Sequence, residues 1–196
     1  MKIVILILAA GSSTRMGVAK QLLPAGKTTL LGVTIKSALQ SNANKVYCVL
    51  GANAKPVEQS ISNYSVESIF NPDYKSGLSS SIIAGIKHII NIKIDAVLIL
   101  LGDQPFITTQ YLNDMMNTFK NHNGKIIAST YNDTLGVPTI IPKVYYNHLL
   151  KLKGDKGAKD FLNNRKEEII QLKNTNLIDI DTKKEYQDYL NSIKFE

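Results

Sequence analysis

Residues 8–24, Leu-Ala-Ala-Gly-Ser-Ser-Thr-Arg-Met-Gly-Val-Ala-Lys-Gln-Leu-Leu-Pro, gather groups suited to holding a phosphate. Gly11 and Gly17 let backbone N–H groups close on an anion with no side chain in the way. Arg15 offers a planar fork of donors and Lys20 a point charge. The apolar run Ile3–Leu8 just before the loop predicts a buried first strand. A phosphate cradle at the carboxyl end of a strand is where open α/β sheets bind ligands. The competing reading is a merely solvated glycine–serine loop. Two better-known phosphate loops are excluded by spacing. The dinucleotide fingerprint needs Gly at position 13, which is Ser. The P-loop ending is present at Gly26-Lys27-Thr28, but its first glycine would fall on Gln21.

A carboxylate follows a second apolar run. Residues 98–105 read Leu-Ile-Leu-Leu-Gly-Asp-Gln-Pro, which sets Asp103 just past a strand, in a turn shaped by Gly102 and Pro105. Where two phosphates must meet, a divalent cation is the natural neutraliser, and magnesium takes carboxylate and phosphate oxygens. Asp103 is thus either a metal ligand or an Asp that opens a turn before a helix. Near the end of the chain, Asp179 and Asp181 alternate onto one side of a candidate strand, and Asp179 could instead cap the following turn.

The elements that must position these groups follow from apolar periodicity. Strands are expected at residues 3–8, 45–50, 66–70, 95–101 and 125–131, with short candidates at 168–172 and 177–180. Residues 136–142, with Pro138 and Pro142, predict a short edge strand or loop. Helices are expected at 29–41, 56–62, 79–91, 108–122, 143–151, 156–165 and 183–193, with Thr108 as an N-cap. Strands alternating with helices give a three-layer α/β domain with a mostly parallel, mixed sheet. The later short strands are read as a possible antiparallel pair.

The 196 residues suit one domain spanning 1–196. A hydrophobic share of 44% and a charged share of 20% are those of an ordinary globular protein. The formal charge of +7 is spread along the chain with no dense basic block, so nucleic acid is not an expected partner, and a small anionic substrate explains a positive cleft equally well. No stretch approaches membrane-spanning length. The apolar start runs straight into the loop, so cleaving it as a signal peptide would destroy the site. A cytoplasmic protein is expected. The single cysteine, Cys48, reads as a small buried core residue. His88, His122 and His148 lack partners at metal-site spacing.

The blocks L-A-A-G-x-S-x-R-M-G and K-x-L-L-P, followed by L-x-G-D-Q-P at 98–105, resemble the signature of the MobA-like nucleotidyltransferases. Residues 71–82, Asn-Pro-Asp-Tyr-Lys-Ser-Gly-Leu-Ser-Ser-Ser-Ile, resemble the molybdenum cofactor cytidylyltransferase branch, as do Gly136-Val137-Pro138 and Gly154-Asp155-Lys156-Gly157-Ala158-Lys159. The last block carries Lys159 where the branch usually has Arg. Residues 179–186 resemble the closing D-x-D-T-x-x-D-Y/L pattern, with Glu185 in place of Asp and no Pro after Thr182. The resemblance implies a single Rossmann-like domain and a transfer of CMP from CTP to the phosphate of molybdopterin with magnesium. It implies that Leu8, Ala9, Ala10, Gly11, Arg15, Lys20 and Gly102 bind the nucleotide. Arg15, Lys20 and Asp103 act in the chemistry, and Asp103 and Asp181 hold the metal. Ser79 and Ser80 either cap a helix or touch the nucleotide through hydroxyls and free N–H groups. Gly136, Pro138, Asp155 and Lys159 either shape turns or line the acceptor pocket. Ala10, where guanylyltransferases of the superfamily usually have Gly, implies CTP over GTP. Two rival readings stay open: transfer to a sugar phosphate or other alcohol phosphate, and a non-catalytic accessory protein serving a molybdenum hydroxylase.

Overall fold

The computed structural model describes residues 1–13, 16–122, 124–131, 134–173 and 177–193. Nine strands are present among them: β1 Ile3–Leu8, β2 Pro24–Ala25, β3 Thr28–Thr29, β4 Lys45–Leu50, β5 Glu67–Phe70, β6 Ala96–Leu101, β7 Ile126–Tyr131, β8 Thr134–Pro142 and β9 Ile169–Lys173. The α-helices are α1 Leu30–Leu39, α2 Ala54–Ile61, α3 Leu78–Ile89, α4 Thr109–Asn121, α5 Tyr146–Leu149, α6 Lys159–Asn163 and α7 Lys183–Ser192. β2 and β3 pair as a small antiparallel ribbon, and the other strands form one sheet in the order β5-β4-β1-β6-β8-β7-β9.

Every residue of β1 is buried, because the strand is covered on both faces and so reads as an unbroken apolar run. Ile3, Ile5 and Ile7 face a layer built with Leu31 and Ile35 of α1, Val57 of α2 and Met115 and Phe119 of α4. Val4, Leu6 and Leu8 face the opposite layer, with Ile82 and Ile86 of α3, Leu149 of α5 and Phe161 of α6. Helix α3 lies so close to β1 that a Cβ on Gly85 would come within 2.3 Å of the Leu6 side chain. Thr29 caps α1 and Thr108 caps α4, each side-chain oxygen accepting a first-turn N–H. This is the expected single α/β domain with a mostly parallel sheet. Cys48 is fully buried in the core, as its apolar run predicts.

Three expectations are corrected. Residues 136–142 are no edge strand or loop: they belong to β8, an interior strand antiparallel to both β6 and β7. Pro138 is accommodated because the β7–β8 register shifts between Ala128 and Ser129, which leaves Val137 and Pro138 outside the regular pairing, and Pro142 stands at the last position of the strand, opposite Ala96. The later strands do not pair with one another, since β9 runs parallel to β7. Residues 177–180 form no strand; Leu177 and Ile180 are instead anchors in two separate apolar clusters.

Strands β4 and β5 lie on one side of β1 and β6 on the other. The chain order therefore reverses at the β1/β6 boundary, and the loops leaving these two parallel strands diverge there. The crevice between them is the natural ligand position.

Candidate active site

The loop after β1 is held open by backbone and side-chain struts. Ala9 N–H donates to Val49 O at 2.9 Å, and Ala10 O accepts from Ala52 N–H at 3.0 Å. Gln21 is buried, and its side-chain amide donates to the carbonyls of Ala9 and Gly11 at 3.0 and 2.8 Å. Ser13 Oγ accepts from Lys20 N–H at 3.1 Å. These bonds bend residues 9–13 into an arch whose inner edge is open: a Cβ built on Gly11 would meet nothing within 4 Å.

The arch borders a cleft of about 390 Å³. Leu8, Ala9, Ala10, Gly11 and Ser12 form one wall, Leu101, Gly102 and Asp103 another, and Tyr74, Lys75, Gly77, Leu78 and Ser81 close it from the α3 side. Such a size and this mix of apolar wall and a few convergent polar groups suit a small-molecule ligand. Gly51 sits behind the wall, where a Cβ would fall 2.5 Å from Tyr74 Cβ and 2.8 Å from Ala10 Cβ. Only glycine lets the Tyr74 and Ala10 side chains approach in this way.

Lys20 reaches across the cleft mouth. Its Nζ donates to Asp103 Oδ2 and, at 2.7 Å, to Asp181 Oδ1. The side chains of Lys20 and Asp103 are each 15% exposed and that of Asp181 is 36%. Burial of the lysine opposes its charge, but the two carboxylates more than offset this and hold its pKa above the ordinary value. Asp103 Oδ1 is buried without a hydrogen-bond partner among the described residues. An unpartnered carboxylate oxygen is costly unless something binds it, and with Asp181 alongside it is a fitting donor for a hard divalent cation. Asp179 lies in the same cluster, and burial and then the Asp103 charge push its pKa up to about 6.

A model of the MobA-like NTP transferase domain matches residues 5–169. The chain belongs to this family. Among relatives of this MobA-like transferase, the molybdenum cofactor cytidylyltransferase of Escherichia coli is 30% identical over 139 residues, covering 70% of this chain and 69% of that one. The purine catabolism protein PucB of Bacillus subtilis is 27% identical over 195 residues, covering 91% of each. A crystal structure of Rv0371c from Mycobacterium tuberculosis in complex with manganese superposes with a TM-score of 0.82 at 25% identity, covering 98% of this chain and all of that one.

Of the residues singled out in the sequence, the transferase fold brings Leu8, Ala9, Ala10, Gly11, Lys20, Gly102, Asp103 and Asp155 to the cleft, and Asp181 joins them through Lys20. Arg15 lies outside the described residues. Ser79 and Ser80 do not line the cleft. The Ser79 N–H donates to Gly154 O at 3.1 Å and the Ser80 N–H to Gly77 O at 3.0 Å, so neither is free for a ligand. The Ser80 hydroxyl donates to Gly77 O and accepts from Asn71 Nδ2. Ser81 takes the place on the wall instead. Gly136 and Pro138 sit within β8, where Gly136 pairs with Ser129 and Pro138 O accepts from the Ser129 hydroxyl. Lys159 opens α6 with an exposed side chain. None of these three lines the cleft. Gln21, Tyr74 and Lys75 were not identified from the sequence. Gln21 fills the open position of the K-x-L-L-P block, and no spacing signal announces a side chain that braces backbone carbonyls.

Proposed function

We propose that this protein, a nucleotidyltransferase of the MobA-like family, transfers CMP from CTP to the terminal phosphate of molybdopterin and releases pyrophosphate. The observation that carries this reading is the convergence of Lys20, Asp103 and Asp181 at the mouth of a cleft walled by Leu8–Gly11. Three segments far apart in sequence deliver one cation and two carboxylates to the point where phosphates would meet. The likeness to the E. coli cytidylyltransferase supports the choice of reaction.

An acceptor phosphate monoester has a second pKa near 6, so it is already an anionic nucleophile at neutral pH. Its oxygen attacks the α-phosphorus of CTP, and the bond to the β-phosphate breaks as pyrophosphate leaves. No histidine is needed as a base, and none lines the cleft. The work left to the protein is alignment and charge neutralisation. The Gly11 arch and Arg15 hold the triphosphate, and Lys20 stabilises charge that develops at the α-phosphate. Asp103 and Asp181 would hold magnesium, which when bound neutralises phosphate charge. Asp155, which lines the cleft beside Gly77, would face the acceptor. Ala10, on the cleft wall, favours a pyrimidine, since a methyl at this position leaves less room for a base than the Gly usual in guanylyltransferases.

The likeness to PucB, a protein named for purine catabolism and not for nucleotide transfer, leaves room for the accessory reading, in which the chain serves a molybdenum hydroxylase without turnover of its own. The test is pyrophosphate release from each NTP with purified molybdenum-loaded molybdopterin. CTP is expected to be the best donor. Preference for GTP overturns the nucleotide assignment, and nucleotide binding without pyrophosphate release favours the accessory role.

A further inference from the structure

We infer that Gln104 and Asp179 are positioning residues that hold Asp103 and Asp181 at a metal-binding separation. The inference rests on the reading of Asp103 and Asp181 as the metal pair. Asp103 and Asp181 belong to loops that share no secondary structure, since residues 102–105 follow β6 and residues 177–181 are irregular. Two bonds stitch these loops together. Ile180 N–H donates to Asp103 O at 3.0 Å, and Gln104 Nε2 donates to Asp179 Oδ1 at 2.8 Å. The stitched residues alternate with the carboxylates: 103 with 180 through backbone, 104 with 179 through side chains. A slip of either loop would therefore change the distance between Asp103 and Asp181 directly.

The clamp is built into the interior. Gln104 is 3% exposed, and its other polar side-chain atom, Oε1, is buried without a partner among the described residues. Burying a whole amide to make one hydrogen bond is unfavourable by itself, which is understandable if the bond serves alignment. The other end of the 177–181 segment is also fixed. Glu185 Oε2 accepts from the N–H groups of Asp181 and Thr182 at 2.9 and 2.8 Å, in a capping box at the start of α7. Asp181 is thus held from both sides, by the helix cap after it and the Gln104–Asp179 bond before it. Residues that orient metal ligands without touching the metal alter metal affinity by roughly 10- to 100-fold when changed.

The experiment measures CTP affinity by fluorescent-nucleotide displacement, in EDTA and across a Mn²⁺ titration, for the full chain and four variants. Asp103→Asn reports whether the metal pair is correctly assigned. Asp179→Ala and Gln104→Leu each remove the hydrogen bond, and Asp179→Asn removes the charge but keeps an acceptor for Gln104 Nε2. The expected result in EDTA is unchanged affinity for Gln104→Leu and both Asp179 variants, whose side chains do not line the cleft. The Mn²⁺-dependent tightening should weaken about 10-fold or more in Asp179→Ala and Gln104→Leu and be kept in Asp179→Asn. Retention of the tightening in both Asp179→Ala and Gln104→Leu, with its loss in Asp103→Asn, overturns the positioning role alone. Equal loss in Asp179→Asn and Asp179→Ala shows that charge matters and also overturns it. Tightening that survives Asp103→Asn, or is absent from the unaltered chain, overturns the metal assignment and the positioning role with it.

Discussion

Replacing Lys20 by Ala should have two separable effects, on stability and on turnover. In the folded protein the ammonium bonds to both Asp103 and Asp181, and two of the three side chains are 15% exposed. Opposite charges about 4 Å apart at an effective dielectric constant near 20 attract by about 4 kcal/mol. Desolvation of the lysine offsets part of this, and removing one partner leaves two carboxylates facing each other beside Asp179. The expected cost in metal-free buffer is therefore about 2–4 kcal/mol. Urea unfolding in EDTA at pH 7 measures it, and magnesium should restore part of the loss by replacing the missing cation. The pH dependence follows from the raised pKa of Lys20, above the ordinary 10.5. A cation whose pKa rises on folding contributes fully below its unfolded value and loses that contribution as pH climbs through the folded one. The gap between wild type and variant should thus be constant from pH 7 to 9 and narrow only in more alkaline buffer. Turnover at saturating CTP should fall by a factor on the order of 10². An unchanged urea midpoint in EDTA refutes the ion-pair argument, and wild-type turnover removes Lys20 from the chemistry.

Gly51→Ala should drive a methyl to within 2.5 Å of Tyr74 Cβ, destabilising the fold by about 1–3 kcal/mol and weakening CTP binding; normal affinity in titration would mean that the nucleotide does not use this wall. Ala10→Gly should raise the GTP-to-CTP ratio of kcat/KM by about 10-fold or more without reversing it, and an unchanged ratio would show that the methyl does not choose the base. Burial pushes the Cys48 thiol up to about 12, so at pH 8 it is protonated and shielded. A disulfide reagent should modify it only in urea; rapid reaction with the folded protein would mean that the core opens.

Much of the architecture is legible in local patterns. The Ile3–Leu8 run and the loop after it are found where apolar continuity and glycine chemistry place them, and β4 has the predicted bounds. What escapes is set by distant contacts. β8 looks like a proline-broken edge because nothing local shows that the strand bulges at Val137 and Pro138 and is flanked on both sides. Residues 177–180 have the composition of a strand, yet the two apolar side chains serve different clusters. The cleft follows the same rule. Lys20, Asp103 and Asp181 could be picked out one at a time, but their direct bonding could not. Ser79 loses its free N–H to Gly154, a residue whose approach to α3 no local pattern announces.

The cluster at the cleft mouth joins positions 83 and 161 residues apart in the chain, so it has no counterpart in the unfolded polypeptide. A ligand that binds there stabilises the native state alone. At a concentration 100-fold above its dissociation constant it adds about 2.7 kcal/mol to unfolding free energy, a sizeable fraction of the 5–15 kcal/mol typical of a domain. Melting temperature thereby becomes a catalogue of cognate ligands: nucleotides, metals and phosphorylated acceptors can be ranked by the heat the protein withstands in their presence. The same linkage ties the lifetime of the protein to its supply of substrate, leaving it most vulnerable to proteolysis when there is nothing to transfer.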